Sequence, residues 1–251
     1  MQIAVAFATE PEFGPWRRRR GFRPCANVRG NAYEAVVGGV SVTALVTGPG
    51  PERAARIVEM LSGRAPDVCV ASGLAGGLKP EHRARQVLVA RAVQRVGDLQ
   101  SVRSDAGLVD LAQRLGAKAV DLFVTTPVGV FAARDKRRMG QLADAVDMES
   151  FAVMSAMARL GAAVVAVRAV VDTVDRDLPP EIVDLVSEDG SVRLHRVLSL
   201  VAASPRQFPA LLRFGWESLR AASTLALFLD EWTQTWARLR AGSGLLAAEA
   251  G

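Results

Sequence analysis

Cysteine and histidine are scarce in this chain of 251 residues: two of each, Cys25, Cys69, His82 and His195. Their separations match no zinc-binding spacing. A disulfide framework does not suit a chain so long and so poor in cysteine. Cys69 lies in an apolar stretch and reads as a buried thiol. No apolar run reaches the roughly 20 residues of a membrane span. The opening MQIAVAFATE is short and lacks a basic leader region, so it does not read as a signal peptide. These absences point to a cytoplasmic location. Repeats and low-complexity segments are also missing.

Charge of one sign is not abundant either. Lys plus Arg number 31 against 26 Asp plus Glu, a net +5. Nucleic-acid binding calls for a basic stripe interleaved with exposed aromatics. Here the basic residues form two short clusters, Arg17–Arg20 and Arg134, Lys136, Arg137 and Arg138. Both are expected to be solvated faces, and no nucleic-acid partner is expected.

What is present is apolar patterning: half of the residues are hydrophobic. Strands are expected at 2–8, 33–37 and 41–47, the last two joined by Gly38-Gly39 in a hairpin. Gly48 and Gly50 turn the chain, and Pro51 opens a helix that Gly63 ends. Further strands are expected at 67–71, 86–93, 120–125 and 162–172, with glycines 73, 76 and 77 in a loop after the first of these. Helices are expected at 105–115, 133–143 and 149–160. This order predicts an α/β fold of three layers, α/β/α, with a mixed, mostly parallel central sheet. The core should occupy 1–190. A C-terminal helical extension should follow at 191–240, mostly one helix over 210–240 of roughly 45 Å, and then a disordered tail at 241–251. On that helix Leu212, Trp216, Leu219, Ala226, Leu229 and Trp236 form an apolar stripe, widened by Phe214, Leu225, Phe228 and Trp232. Such a stripe packs against a core or a second chain, or lies on a membrane surface.

Several acids fall where parallel sheets place ligands, beyond the carboxyl ends of strands. Glu12 follows the first strand, Asp172 ends the strand at 162–172, and Asp147 and Glu149 flank Met148 at a helix start. Each also has a plain reading as a surface acid or a cap, and Asp147 reads as an N-cap. Arg168 is different. It interrupts a run of Ala and Val, and a charge in a buried strand needs a partner or a ligand.

AVAFATEPE (4–12), TGPG before a helix (47–50), PDVCVASGLAGGL (66–78), VDMES (146–150) and VRAVVD (167–172) occur in the order and spacing of a known family. The chain resembles the nucleoside phosphorylase and nucleosidase superfamily, on the 5′-methylthioadenosine/S-adenosylhomocysteine nucleosidase side. Beyond 175 it is similar to hopanoid-associated nucleoside phosphorylases, which act on adenosylhopane. The resemblance implies cleavage of the N-glycosidic bond of a 5′-substituted adenosine, with no metal or organic cofactor, in a homo-oligomer. It gives Glu12 the attacking water, Glu149 the ribose hydroxyls and Asp172 the proton for the purine. Met148 would pack on the ribose, Arg168 would sit beside the nucleophile, and Gly48, Gly76, Gly77 and Phe131 would line the pocket. Leu74 departs from the family pattern, standing where Ser or Thr is usual, and so do Arg85-Gln86 and TGPG. The arginines that hold phosphate in the phosphorylases are missing from ASGLAGG, which favours water as nucleophile. A phosphorylase, or a core that binds nucleosides without cleaving them, are the alternatives.

Overall fold

The computed structural model describes residues 1–25, 31–61, 65–178, 190, 191 and 208–248. The elements in chain order are β1 (Gln2–Phe7), α1 (Glu10–Arg20), β2 (Arg23–Pro24), β3 (Asn31–Val37), β4 (Val40–Val46), α2 (Pro51–Ala54), α3 (Ile57–Met60), β5 (Val68–Gly77), β6 (Val87–Arg95) and β7 (Ser101–Arg103). There follow α4 (Ala106–Arg114), β8 (Lys118–Thr125), α5 (Ala133–Met139), β9 (Ala145–Asp147), α6 (Ser150–Arg159), β10 (Ala163–Asp172) and α7 (Phe208–Ala248). The strands form one mixed sheet in the order β10-β6-β8-β9-β5-β1-β4-β3-β2, with β7 on β6.

Strand alternation divides the core between the two faces of this sheet. Ile3, Val5 and Phe7 of β1 face Phe13 and Trp16 of α1 and Leu225, Leu229, Trp232 and Trp236 of α7. Ala4 and Ala6 face the other way, into a cluster with Ile57 and Met60 of α3 and Val153, Met154 and Met157 of α6. Helices therefore cover both faces, and the expected three-layer α/β/α architecture with a C-terminal helix is the one observed.

Three features go beyond the sequence reading. First, β10 also pairs with β5, so the strands β5-β10-β6-β8-β9 close on themselves. Second, β5 runs through the glycines expected to form a loop. Gly76 pairs with Val146 on one side and with Asp172 on the other. A Cβ on Gly76 would stand 3.2 Å from Val146, and one on Gly77 would stand 3.2 Å from Val170. The missing side chains let three backbones converge. Third, α1 is a helix where none was expected. Its signals are a Thr9…Glu12 capping pair and the one-turn spacing of Phe13 and Trp16. Glu12 Oε2 accepts the Thr9 N–H at 3.0 Å.

The single helix expected after Pro51 is two short ones, separated at Ala55-Arg56. The C-terminal helix begins at Phe208 and continues to Ala248, past the boundary at 241. Leucine and alanine at 245–248 are good helix formers and carry it on through Gly242 and Gly244. The boundary between core and extension, expected near 190, falls beside the segment 192–207, which lies outside the described residues. The apolar stripe of α7 is split along its length. Leu225, Leu229, Trp232 and Trp236 are buried, while Leu212, Trp216 and Leu219 are more than half exposed. Among the described residues no helix is long and apolar enough to cross a membrane.

The first basic cluster is not simply a solvated face. Asp230 of α7 is buried and accepts hydrogen bonds from Trp16 Nε1 at 3.3 Å, Arg19 Nε at 3.1 Å and Arg20 Nη2 at 2.7 Å. This clasp ties the C-terminal helix to the helix that carries Glu12. Asp230→Ala would leave a buried indole N–H and two guanidinium groups without their acceptor. It should destabilise the protein by about 2–4 kcal/mol, read as a lower urea midpoint at unchanged slope.

Candidate functional site

Arg168 is the centre of the site. It lies in β10 beside Gly73 of β5 and is 1 % exposed. A guanidinium at that depth must be neutralised. Asp147, the last residue of β9, does most of this, with its Oδ2 3.0 Å from Arg168 Nη2. Glu149 Oε2 stands 3.7 Å from the same nitrogen. Ser150 Oγ accepts from Arg168 Nε at 3.1 Å and from Nη2 at 2.9 Å. Asp147 was expected to act as a cap. It does accept the Ser150 N–H at 3.3 Å and Thr125 Oγ1–H at 2.7 Å, but it is also a counterion. Glu149 holds the N-cap position of α6 instead.

The remaining nitrogen, Arg168 Nη1, is buried and has no hydrogen-bond acceptor among the described residues. It points at Gly73, whose φ is +138°. A Cβ there would fall 2.5 Å from Nη1 and 2.9 Å from Glu12 Oε1. Glycine thus keeps open the space in which Glu12 and Arg168 approach each other. Glu12 arrives from α1, and its carboxylate is held by backbone: Oε2 accepts from Ala8 and Thr9 and Oε1 from Leu74, each at 3.0 Å. The contact with position 74 is therefore made by the main chain, so a leucine there does not disturb it. Burial raises the Glu12 carboxyl above its ordinary range, against the pull of Arg168 and the three N–H groups.

Glu149 Oε1 accepts the Gly50 N–H at 2.8 Å. The turn after β4 thus reaches the site through the main chain of Gly50. Burial pushes the Glu149 carboxyl up to about 7; Arg168 opposes this, and the charges of Asp147 and Glu12 add to it. Met148 is half-buried between the two buried acids.

Asp172 ends β10 next to Gly76 and belongs to a second ionic group. Its Oδ2 pairs with the ammonium of Lys136 from α5. Lys136 is fully buried and also donates to the Arg176 carbonyl at 2.7 Å. The second basic cluster was expected to be solvated, and at this position it is not. Lys136 stands one turn after Ala133, on the buried side of the helix. That spacing is too short to have marked it in the sequence. Burial raises the Asp172 carboxyl, while Lys136 and Arg176 hold it down. Asp172 Oδ1 accepts no hydrogen bond among the described residues. Phe131, on the loop before α5, covers Gly129 with its ring and accepts from Leu178 N–H through its carbonyl at 3.0 Å.

Four segments thus converge on β10 near its carboxyl end: the start of α1, the turn at 50, β5 from Gly73 to Gly77, and the β9–α6 junction. A family model described as the phosphorylase superfamily matches residues 2–203. The chain belongs to the phosphorylase superfamily. Solved structures of the same fold include the 5′-methylthioadenosine/S-adenosylhomocysteine nucleosidase of Neisseria meningitidis in complex with methylthio-immucillin-A. It is 20% identical, with a TM-score of 0.69, over 93% of this chain and 99% of that one. A mutant nucleosidase of Helicobacter pylori with 5′-methylthioadenosine in its active site is 16% identical, with a TM-score of 0.71, over 93% and 98%. Futalosine hydrolase of Helicobacter pylori is 16% identical, with a TM-score of 0.69, over 94% and 98%. At these identities the likeness establishes the fold. No curated protein matches the chain. In this superfamily member Glu12, Glu149, Met148 and Arg168 lie together, and Asp172, Gly76 and Gly77 adjoin them along β5. Thr125 and Ser150 join the site without having been singled out in the sequence, and Gly50, Gly73 and Lys136, noted there only for turns, a loop and a basic cluster, join it as well.

The raised Glu149 carboxyl has a consequence for stability. Its ordinary value is 4.5 and its folded value about 7. Between these the folded protein keeps a proton that the unfolded chain has released, so stability falls as pH rises through that window. Glu149→Gln should therefore leave the melting temperature near that of the parent at pH of about 4.5 and raise it at pH of about 8. A difference independent of pH in calorimetry would contradict the assignment.

Proposed function

We propose that this protein is a purine nucleosidase that cleaves the N-glycosidic bond of a 5′-substituted adenosine and releases adenine. The supporting observation is the spacing of acids along β5. Glu12 meets this strand at Gly73, and Asp172 meets it at Gly76, about 10 Å further on at strand rise. A nucleoside has this polarity, with the nucleophile attacking C1′ on one side and the base leaving on the other.

The chemistry follows from the residue types. Loss of the base leaves positive charge on the ribose, as in O-glycoside cleavage. Glu12 would orient a water and take its proton, with Arg168 beside it. Glu149 has Oε1 fixed by Gly50 and Oε2 left to grip ribose hydroxyls, and half-buried Met148 offers an adaptable apolar surface to the sugar. Asp172 would place a proton on the purine, with the bare backbone of Gly76 and Gly77 allowing close approach. Water is favoured over phosphate because the Glu12 carboxylate occupies the place beside Arg168 where an anion would otherwise bind.

The nucleosidase and hydrolase structures described above share the fold and support this reading. Similarity of the segment beyond 175 to hopanoid-associated phosphorylases makes adenosylhopane the finer substrate reading. A lipid-linked substrate would also give a use to the exposed Leu212, Trp216 and Leu219 of α7. Contact with an anionic membrane and pairing of two chains are the competing uses of that face. Liposome co-sedimentation and sedimentation velocity distinguish them.

Purified protein should release adenine from 5′-methylthioadenosine, S-adenosylhomocysteine or adenosylhopane without added phosphate. Formation of a ribose 1-phosphate product only when phosphate is present would make it a phosphorylase. Tight adenine binding with no turnover would favour the binding module. Asp172→Asn and Glu12→Gln should each lower kcat by about 100-fold or more with unchanged circular dichroism; wild-type turnover in either variant would remove that residue from the mechanism.

A further inference from the structure

Lys136 has no part in the mechanism above, yet it is fully buried and its ammonium is bonded to the carboxyl proposed to meet the base. A lysine is costly to bury, and a partner alone does not favour it over a well-packed apolar side chain. Packing therefore does not explain its presence. The groups around the Asp172 carboxyl are Lys136 from α5, Arg176 from the segment after β10, and the bare backbone of Gly76 from β5. Lys136 donates two hydrogen bonds, one to Asp172 and one to the Arg176 carbonyl. The helix carrying it is itself anchored, since Ala133 N–H donates to Asp177 at 2.7 Å.

We propose that Lys136 is the proton reservoir of the leaving-base end, acting through Asp172 as a positioning and proton-holding residue. The inference rests on the nucleosidase reading. An ammonium beside a carboxylate and an amine beside a carboxylic acid contain the same number of protons. Burial penalises the two charges that their contact stabilises, which favours passage of a proton within the pair. The pair thus holds one mobile proton that Asp172 Oδ1 can present. As the C1′–N9 bond breaks, its electrons pass to the purine and this proton moves to N7. The oxygen of water bonds to C1′ and the water proton goes to Glu12. The pair is left as carboxylate and neutral amine. Exchange with solvent after product release restores its proton and removes the one on Glu12.

The sign of the pH effect follows. With Lys136 present, the pair holds one proton more than Asp172 alone, so turnover stays level from neutral into alkaline pH. Without Lys136, the only proton is the carboxyl's own, and turnover falls as pH rises through the Asp172 carboxyl range.

The test is the pH profile of adenine release by wild type, Lys136→Met and Lys136→Gln. The glutamine variant retains a hydrogen-bond donor of similar length but no proton to give, and it covers the case in which the methionine variant does not fold. Both variants should lose about 100-fold or more in kcat at pH of about 8 to 9, with KM little changed, and the deficit should shrink steadily towards pH of about 5. A loss of the same size at every pH would make Lys136 structural and overturn the inference, as would undiminished turnover at alkaline pH. If wild type releases no adenine from any of the three nucleosides, the nucleosidase reading itself is at fault.

Discussion

A guanidinium inside a β-strand is the constraint on which the rest of the site depends. Arg168 is flanked by Ala and Val in a strand buried on both faces, and its own exposure is too small for bulk solvent to carry the charge. The protein answers from several directions. Asp147 comes from β9, Glu149 and Ser150 from the start of α6, and Glu12 from α1. Each must arrive within a few ångströms, so Arg168 fixes where those elements end. It also explains why acids can accumulate there. Three carboxyls packed together would repel one another strongly without a central cation.

The charge is deliberately unbalanced. One buried arginine does not neutralise three carboxyls, and the Glu149 carboxyl, pushed up to about 7, takes up part of the excess when it binds a proton. Backbone N–H groups fix Glu12 from both oxygens, whereas Glu149 is fixed from one only. A rigid acid beside a more weakly tethered one suits a site in which the first handles the nucleophile and the second adapts to sugar hydroxyls. The Asp172–Lys136 pair obeys different electrostatics. Asp172 meets two cations, Lys136 and Arg176, and stands three residues along β5 from Gly73.

The C-terminal helix serves this geometry indirectly. Asp230 holds Trp16, Arg19 and Arg20, and those residues belong to the same short helix as Glu12. The first turn of α1 is thus fixed by its own capping pair and its last turn by α7. An extension that reads in sequence as an appendage is part of the scaffold that orients a site acid.

The sequence by itself determined seven of the ten described strands, most helices and the three layers, because alternation and helical spacing are local properties that survive without tertiary contacts. Arg168 stood out as a charge inside an apolar strand, while Glu12, Glu149 and Asp172 were marked by their places after strands or at a helix start together with the family resemblance. The sequence did not reveal α1, whose proline, glycine and arginine run hide a weak apolar face of two residues. Nor did it reveal that the glycines after Ala71 continue a strand, because the neighbours that exclude their side chains come from β9 and β10. Asp147 as counterion and Lys136 as partner of Asp172 were decided by tertiary structure alone. Whether a charge is solvated or paired depends on what packs over it, and that comes from residues 21 to 36 positions away.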